Sequence, residues 1–514
     1  MSKTILALFA SLMMLVAVLW LLQQSDSRPI GAPSPLSSSG EVQTNSDVEI
    51  TLLCAASNRA VMEVIRAEYE KLTGRRIAIQ YAPSQTLLSQ LEVSGVGDLY
   101  LPADDSFLTL AGDKGLIEEV LPIANMRCGL VVPKGNPQRL KTLTDVFSQK
   151  LRLVQANPEA AAVAKLTKQV TSKLGLWQQL DEATRAYRTT VNDVATDVQL
   201  GAADVGIVYD AVVHSYPELE FVQVPELSEA ISTVSIGVIR ASRQATVALH
   251  FARYVAARDR GMVHYQSHGF QTLEGDAWAN SPELSVFAGS MLRPAIEETI
   301  VAFEQREGVR VSRVYNGCGI LVAQMKSGLE PDAYFACDVE FMSQVSDLFP
   351  EPVTVSSNEL AILVPKGNPK NIRSLRDLTR AGLRVGIGHE KQCAMGWITQ
   401  MTFQESGLQT QIMENVTVQT PTGDMLVNQL LTGSLDAAVA YLSNATGAAE
   451  TLDALAIDGI PCSTATQPWG VATKSKYPRL ADRLFAKICS AESQEVFAAE
   501  GFGWQLKPKS SISR

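Results

Sequence analysis

The sequence predicts an α/β protein made of two tandem copies of one bilobal unit, set behind a single N-terminal apolar helix. Three observations carry this expectation. The string Pro-Lys-Gly-Asn-Pro occurs at Pro133–Pro137 and again at Pro365–Pro369, 232 positions apart. Strand-like and helix-like segments alternate through both halves, the pattern of largely parallel sheets covered by helices. An uncharged apolar run stands at the N-terminus.

That run comes first in the chain. Lys3 precedes Ile5–Leu22, which at about 1.5 Å per residue is just long enough to cross a bilayer core. No Ala-x-Ala site follows, and no cysteine stands at a lipobox position. Residues 1–22 therefore read as a signal anchor in preference to a cleaved signal peptide. Residues 23–46 are rich in Ser, Pro and Gly and lack aromatics, the composition of a flexible linker. Either reading places the folded part outside the cytoplasm, with the positive flank inside.

The 514 residues exceed what one core accommodates. Hydrophobic content of 46% and charged content of 19% describe a globular chain. A net charge of -10 and a pI near 5.2 argue against a nucleic-acid partner. They leave room for a small anion, which backbone N–H groups and hydroxyls hold without net positive charge. The seven cysteines show no Cys-x-x-Cys or zinc-finger spacing, and there are only five histidines. No nucleophile elbow, P-loop or metal motif is present, so no catalytic residue is assigned and no enzyme or cofactor is expected.

The first unit runs over 47–279 and the second over 280–514, with the joint in the polar stretch Asp276–Pro282. Each opens on a strand that ends in small residues and a serine: Ile50–Leu53 leads to Ala55-Ala56-Ser57, and Leu284–Phe287 to Ala288-Gly289-Ser290. A helix follows each, with apolar positions Val61, Ile65, Tyr69 and Leu72 before Gly74, and Ala295, Ile296, Ile300 and Phe303 before Gly308. Strands Ile77–Tyr81 and Val309–Tyr315 come next. Further on, Gly201-x-x-Asp204 leads to Tyr209, and Gly433-x-x-Asp436 to Tyr441. A near-constant offset over this length means duplicated domains, not a short-period solenoid.

In open α/β sheets, ligands bind where strand carboxyl ends meet helix N-termini. Ser57 and Ser290 stand there, as does Ser84 in the loop Tyr81-Ala-Pro-Ser84. A helix start offers unpaired N–H donors, and a hydroxyl adds one more. Asp193 and Asp424 precede helices and read as N-caps. Arg59 and Arg293 read as surface or steering charges.

Several strings in sequence order resemble the periplasmic molybdate-binding proteins of ABC importers, which have the type II periplasmic-binding-protein fold. They are Ala55-Ala-Ser57, the Ser84-Gln-Thr-Leu loop with Gln90, Asp98-Leu-Tyr-Leu-Pro-Ala-Asp104, Asn157-Pro-Glu, Asn192-Asp-Val194 and Gly206-Ile-Val-Tyr209. The likeness covers most of both units. It implies a periplasmic protein, held at the inner membrane by its N-terminal helix, that carries molybdate or tungstate to permease subunits. Carried over by position, the first site would use the hydroxyls of Ser57, Ser84 and Tyr209 and backbone N–H groups near Val163 and Val194. The second would use Ser290, Cys318, Met395, Met425 and Tyr441. Cys318 stands where Ser84 does, and a thiol is a weak donor. Cys318, Cys337 and Cys393 all fall on strand-end loops of the second unit, and His389 shares a loop with Cys393. They read as small buried residues, as a disulfide closing one lobe, or as a thiol cluster for a soft metal or thiophilic ligand. A tethered sensor on the same fold is the other functional alternative.

Overall fold

The first repeat contributes ten strands: β1 (Glu49–Ala55), β2 (Arg76–Ala82), β3 (Leu99–Leu101), β4 (Ile117–Pro133), β5 (Leu153–Ala156), β6 (Thr184–Arg188), β7 (Val205–Tyr209), β8 (Leu219–Val222), β9 (Ile231–Ile239) and β10 (Gln271–Thr272). Ile50, Leu52, Leu53 and Cys54 of β1 are buried on both faces, as a central parallel strand requires. The strand order is β2-β1-β3-β9-β4-β7-β5-β6. β4 is 17 residues long and serves both lobes. Its first part pairs with β9, and Cys128–Pro133 pair with β7 and β8. The second repeat follows the same order, strand for strand, between Glu283–Gly289 and Gly503–Trp504. The sheets are mixed, not largely parallel as expected. The strands that carry the chain between the lobes run antiparallel to their neighbours.

This computed structural model describes residues 49–506. The helix and linker expected over 1–22 and 23–46 lie outside the described residues. Among those described, no helix is long and apolar enough to cross a membrane.

The helix Arg59–Thr73 buries Val61, Ile65 and Tyr69 and stops at Gly74, whose φ of 72° suits glycine. Leu72, expected on the apolar face, is exposed. Its counterpart Arg293–Glu307 buries Ala295, Ile296, Ile300 and Phe303 and stops at Gly308. The Pro-Lys-Gly-Asn-Pro string is a turn. Gly135 and Asn136 both have positive φ, and the Asn136 amide bonds the N–H and C=O of Leu140. Asn368 repeats this with Ile372. The repeated string therefore marks a backbone need shared by the two copies, not a ligand site.

Both repeats, over the described residues 49–506, belong to one compact unit. Helix Ala245–Val255 of the first packs on Arg293–Glu307 of the second. Glu307, 1% exposed, lies between Arg253 at 2.9 Å and Arg483 at 2.6 Å. Arg306 binds Glu119, and Lys487 binds Glu118. Asp276 in the joint accepts the N–H groups of Arg479 and Leu480.

His250 is buried in this seam between Tyr69 Oη and Asn280 Oδ1, with its ring against Trp278. Burial, with Arg75 and Arg253 nearby, pushes its pKa down to about 4. The unfolded imidazole takes a proton near pH 6.5, so the stability contributed is whole above that pH. It is lost as pH falls toward 4, roughly 3 kcal/mol in all. Urea midpoints measured between pH 7 and 4 should fall more steeply for the wild type than for His250→Gln.

Candidate functional site

The first cleft lies where the lobes meet, and three helix starts converge on it. Ser57 sits in the turn Ala56–Asn58 directly after β1. Ser84 opens the helix Ser84–Ser94 after β2, with Pro83 as an N-cap that makes no side-chain bond. Val163 is the second residue of Ala162–Lys173, whose N-cap Ala161 also leaves the first N–H groups uncapped. Val191 opens the third helix, Val191–Gln199. Tyr209 ends β7. Ser57, Ser84, Val163, Val191 and Tyr209 line one cavity of about 260 Å³, part of it open to solvent, together with alanines 55, 56, 103, 161 and 162. No charged side chain lines it.

The hydroxyls are set up as donors. Ser84 Oγ accepts the Ala103 N–H at 3.0 Å, which leaves its own proton to give. Ser57 Oγ accepts from Asn58 Nδ2 at 3.4 Å. Tyr209 Oη is buried without a hydrogen-bond partner. The Ser232 hydroxyl beside it gives its proton to Ala103 O or Asp104. Burial pushes the Tyr209 phenol well up, so it keeps its proton. The two carboxylates behind the site are engaged, Asp104 by Ser232 and the Ser106 N–H, Asp210 by the Arg127 and Ala211 N–H groups. Two bonds already span the lobes: Gln85 N–H to Ala160 O at 3.2 Å, and Asn192 Nδ2 to Ala56 O at 3.1 Å.

Val194 is not at the cleft. Its N–H bonds Thr190 O within the helix, and its side chain is wholly buried, facing Gly206. The helix starts one turn earlier than expected, because Thr190 and Asp193 form a capping box. The Thr-x-x-Asp spacing of residues 190–193 was the signal for that start. Asp193 thus closes the box from the third helical position and is not itself the N-cap. Arg59 and Arg293 are exposed and stand over the rings of Tyr81 and Tyr315.

The second cleft keeps the scaffold and changes the chemistry. Its lobes are joined by the same backbone bond, Gly319 N–H to Gln392 O at 3.0 Å. Ser290 lies in the matching turn. Tyr441 is buried with its Oη unpartnered, and burial again raises its pKa. Cys318 and Cys337 form a disulfide, so the cluster of three thiols does not exist. The parallel strands bring these residues to the places of Ser84 and Ala103. The Cys337 N–H lies 3.0 Å from Cys318 Sγ, as the Ala103 N–H does from Ser84 Oγ, but the added S–S bond leaves the proton of Ser84 without a counterpart.

Cys393 is buried in the position of Ala161, its Sγ near the backbone oxygens of His389 and Thr420. It does not meet the His389 ring, whose Nδ1 lies 3.2 Å from the Lys391 N–H. Burial pushes the Cys393 thiol up to about 11. Among the described residues, no group of three or more His, Cys, Asp or Glu is placed to hold a metal ion. Met395 is buried at the second helical position, like Val163. Met425 is 46% exposed and matches Asp193, because strands Thr184–Arg188 and Val416–Thr420 fix a register that pairs Asn192 with Asp424. Asp424 makes no cap bond and accepts from Asn444 Nδ2.

Reduction should expose two more thiols on the unfolded chain than are found without it. A Cys318→Ala variant should lose about 3 kcal/mol, as expected for a closed loop of 19 residues. Urea unfolding checks the second figure. Equal thiol counts before and after reduction would contradict the pairing.

A cleft at converging helix starts between two α/β lobes, built twice in one chain, is the architecture of a solute-binding protein. The chain belongs to the bacterial extracellular solute-binding protein family, which it matches twice, over residues 50–271 and 284–503. Its relatives include a Haemophilus influenzae protein named only as a binding protein, 29% identical over 223 residues, 43% of this chain and 90% of that one. The molybdate-binding protein ModA of Mycobacterium tuberculosis is 26% identical over 221 residues, 42% of this chain and 83% of that one. Among solved structures, the periplasmic molybdate-binding protein of Azotobacter vinelandii is 16% identical. It aligns over 44% of this chain and 100% of its own with a TM-score of 0.38.

Proposed function

We propose that the first repeat binds a fully ionised tetrahedral oxyanion, molybdate before tungstate or sulfate, outside the cytoplasm and presents it to an ABC permease. The observation that carries this is the Tyr209 hydroxyl, buried and unpartnered in the lining of a cavity that has hydroxyls and helix starts but no charged side chain. A dehydrated dianion needs several charge-assisted hydrogen bonds, each about twice as strong as a neutral one. Helix starts supply them without a cationic side chain. With no carboxylate in the lining to take a proton, a ligand that keeps one is favoured less than a fully ionised one. The relatives named for molybdate binding favour that ion among the candidates.

Calorimetry on the full chain with molybdate, tungstate, sulfate and phosphate tests the reading. Molybdate should saturate the first cleft at about one equivalent, and Ser57→Ala with Tyr209→Phe should abolish that binding. Absence of binding by every oxyanion in the panel would overturn it.

A further inference from the structure

Superposing the two repeats by register shows that the second cleft has exchanged donors for acceptors. The Ser84 hydroxyl is replaced by the Cys318–Cys337 disulfide, which has no proton to give. Asn192, whose Nδ2 donates across the lobes to Ala56 O, is replaced by the carboxylate of Asp424. Val191, which lines the first cavity, is replaced by Gly423. The space that a β-carbon would take there is filled by Asn444 Oδ1, 2.1 Å from that position. The Asn444 Nδ2 donates to Asp424, and this fixes which way the amide points, since two oxygens would repel. Asn444 Oδ1 is therefore an acceptor, and it is buried without a partner. Tyr441 Oη remains as an unpartnered buried donor, while Ser290 takes the place of Ala56 and Met291 that of Ser57, so the hydroxyl at this strand end is moved by one residue.

We propose that the second repeat binds a tetrahedral oxyanion that still carries a proton, of the hydrogen-phosphate type, with Asp424 and Asn444 Oδ1 as the acceptor side of the site. Tyr441, Ser290 and the start of the helix Ala394–Glu405 hold the ionised oxygens. The ligand's O–H goes to Asp424, and a second proton, in the singly charged form, to Asn444 Oδ1. A dianion without a proton leaves Asn444 Oδ1 unsatisfied and places its charge near a carboxylate, two penalties that the first cleft does not impose. One chain then samples two oxyanions that differ in protonation. The proposal rests on the reading of both clefts as oxyanion sites.

The test uses the full chain carrying Ser57→Ala and Tyr209→Phe, which disables the first cleft, titrated by calorimetry with inorganic phosphate, sulfate and molybdate near neutral pH. Phosphate should bind at about one equivalent, at least about tenfold more tightly than sulfate or molybdate. Adding Asp424→Asn should remove that preference. Asp424 is exposed, so this variant is expected to fold. No phosphate binding, equal binding of sulfate or molybdate, or a preference that survives Asp424→Asn would each overturn the proposal. Molybdate titration of the wild type separates the two readings. If molybdate binds the wild type and is lost in the first-cleft variant, the proposed function stands whatever phosphate does.

Discussion

Replacing Glu307 with alanine should destabilise the chain by about 3–5 kcal/mol, the cost of removing one partner from a buried ionic group. Glu307 faces two guanidiniums from different parts of the fold, Arg253 of the first repeat and Arg483 near the C-terminus. Arg253 is 6% exposed, and its Nε and Nη2 have no hydrogen-bond partner. Its Nη1 binds Glu307 through both the carboxylate and the backbone oxygen. Without the carboxylate, two buried cations face each other with their charge uncompensated. Burial by itself would raise the Glu307 carboxyl, but the two arginines outweigh it and hold the pKa below the usual carboxylate range. The stability this provides is present above the unfolded pKa and is lost as pH falls through the lower folded value. Glu307→Gln should therefore flatten the acid limb of the stability curve. Urea unfolding as a function of pH checks both expectations. A loss below about 1 kcal/mol for Glu307→Ala would show that the triad does not hold the repeats together.

Tyr209→Phe should separate stability from binding. In the free protein the hydroxyl is buried and unpaired, a state that costs about 1–3 kcal/mol. Removing it should leave thermal stability unchanged or slightly higher. In the complex the same hydroxyl would make a charge-assisted bond worth about 1.5–3 kcal/mol, so oxyanion affinity should fall roughly 10- to 150-fold. Thermal melts without ligand and calorimetry with molybdate together decide it. A purely structural role would move both quantities in the same direction.

How far these features could be read in advance depended on how local their causes are. The duplication was legible because each Pro-Lys-Gly-Asn-Pro turn needs glycine and asparagine at positive φ, a demand that preserved five identical residues 232 positions apart. Ser57, Ser84 and Tyr209 were legible as hydroxyls at strand ends, and the cavity brings them together. Val194 was misplaced by one turn because the Thr190–Asp193 capping box sets the helix start. The disulfide was one of several open readings. Only the pairing of neighbouring parallel strands brings Cys318 and Cys337 together. The Arg253–Glu307–Arg483 group joins three distant segments and leaves no sequence signal. The antiparallel crossing of the lobes was hidden for the same reason.

The most direct test of the central claim is a crystal structure of the full chain soaked in molybdate, with the metal located by its anomalous scattering. A molybdenum peak should lie in the first cleft, its oxygens within hydrogen-bond distance of Ser57 Oγ, Ser84 Oγ, Tyr209 Oη and the backbone N–H groups at Val163 and Val191. A peak only on the protein surface, or none at molybdate concentrations that saturate binding in solution, would contradict the account.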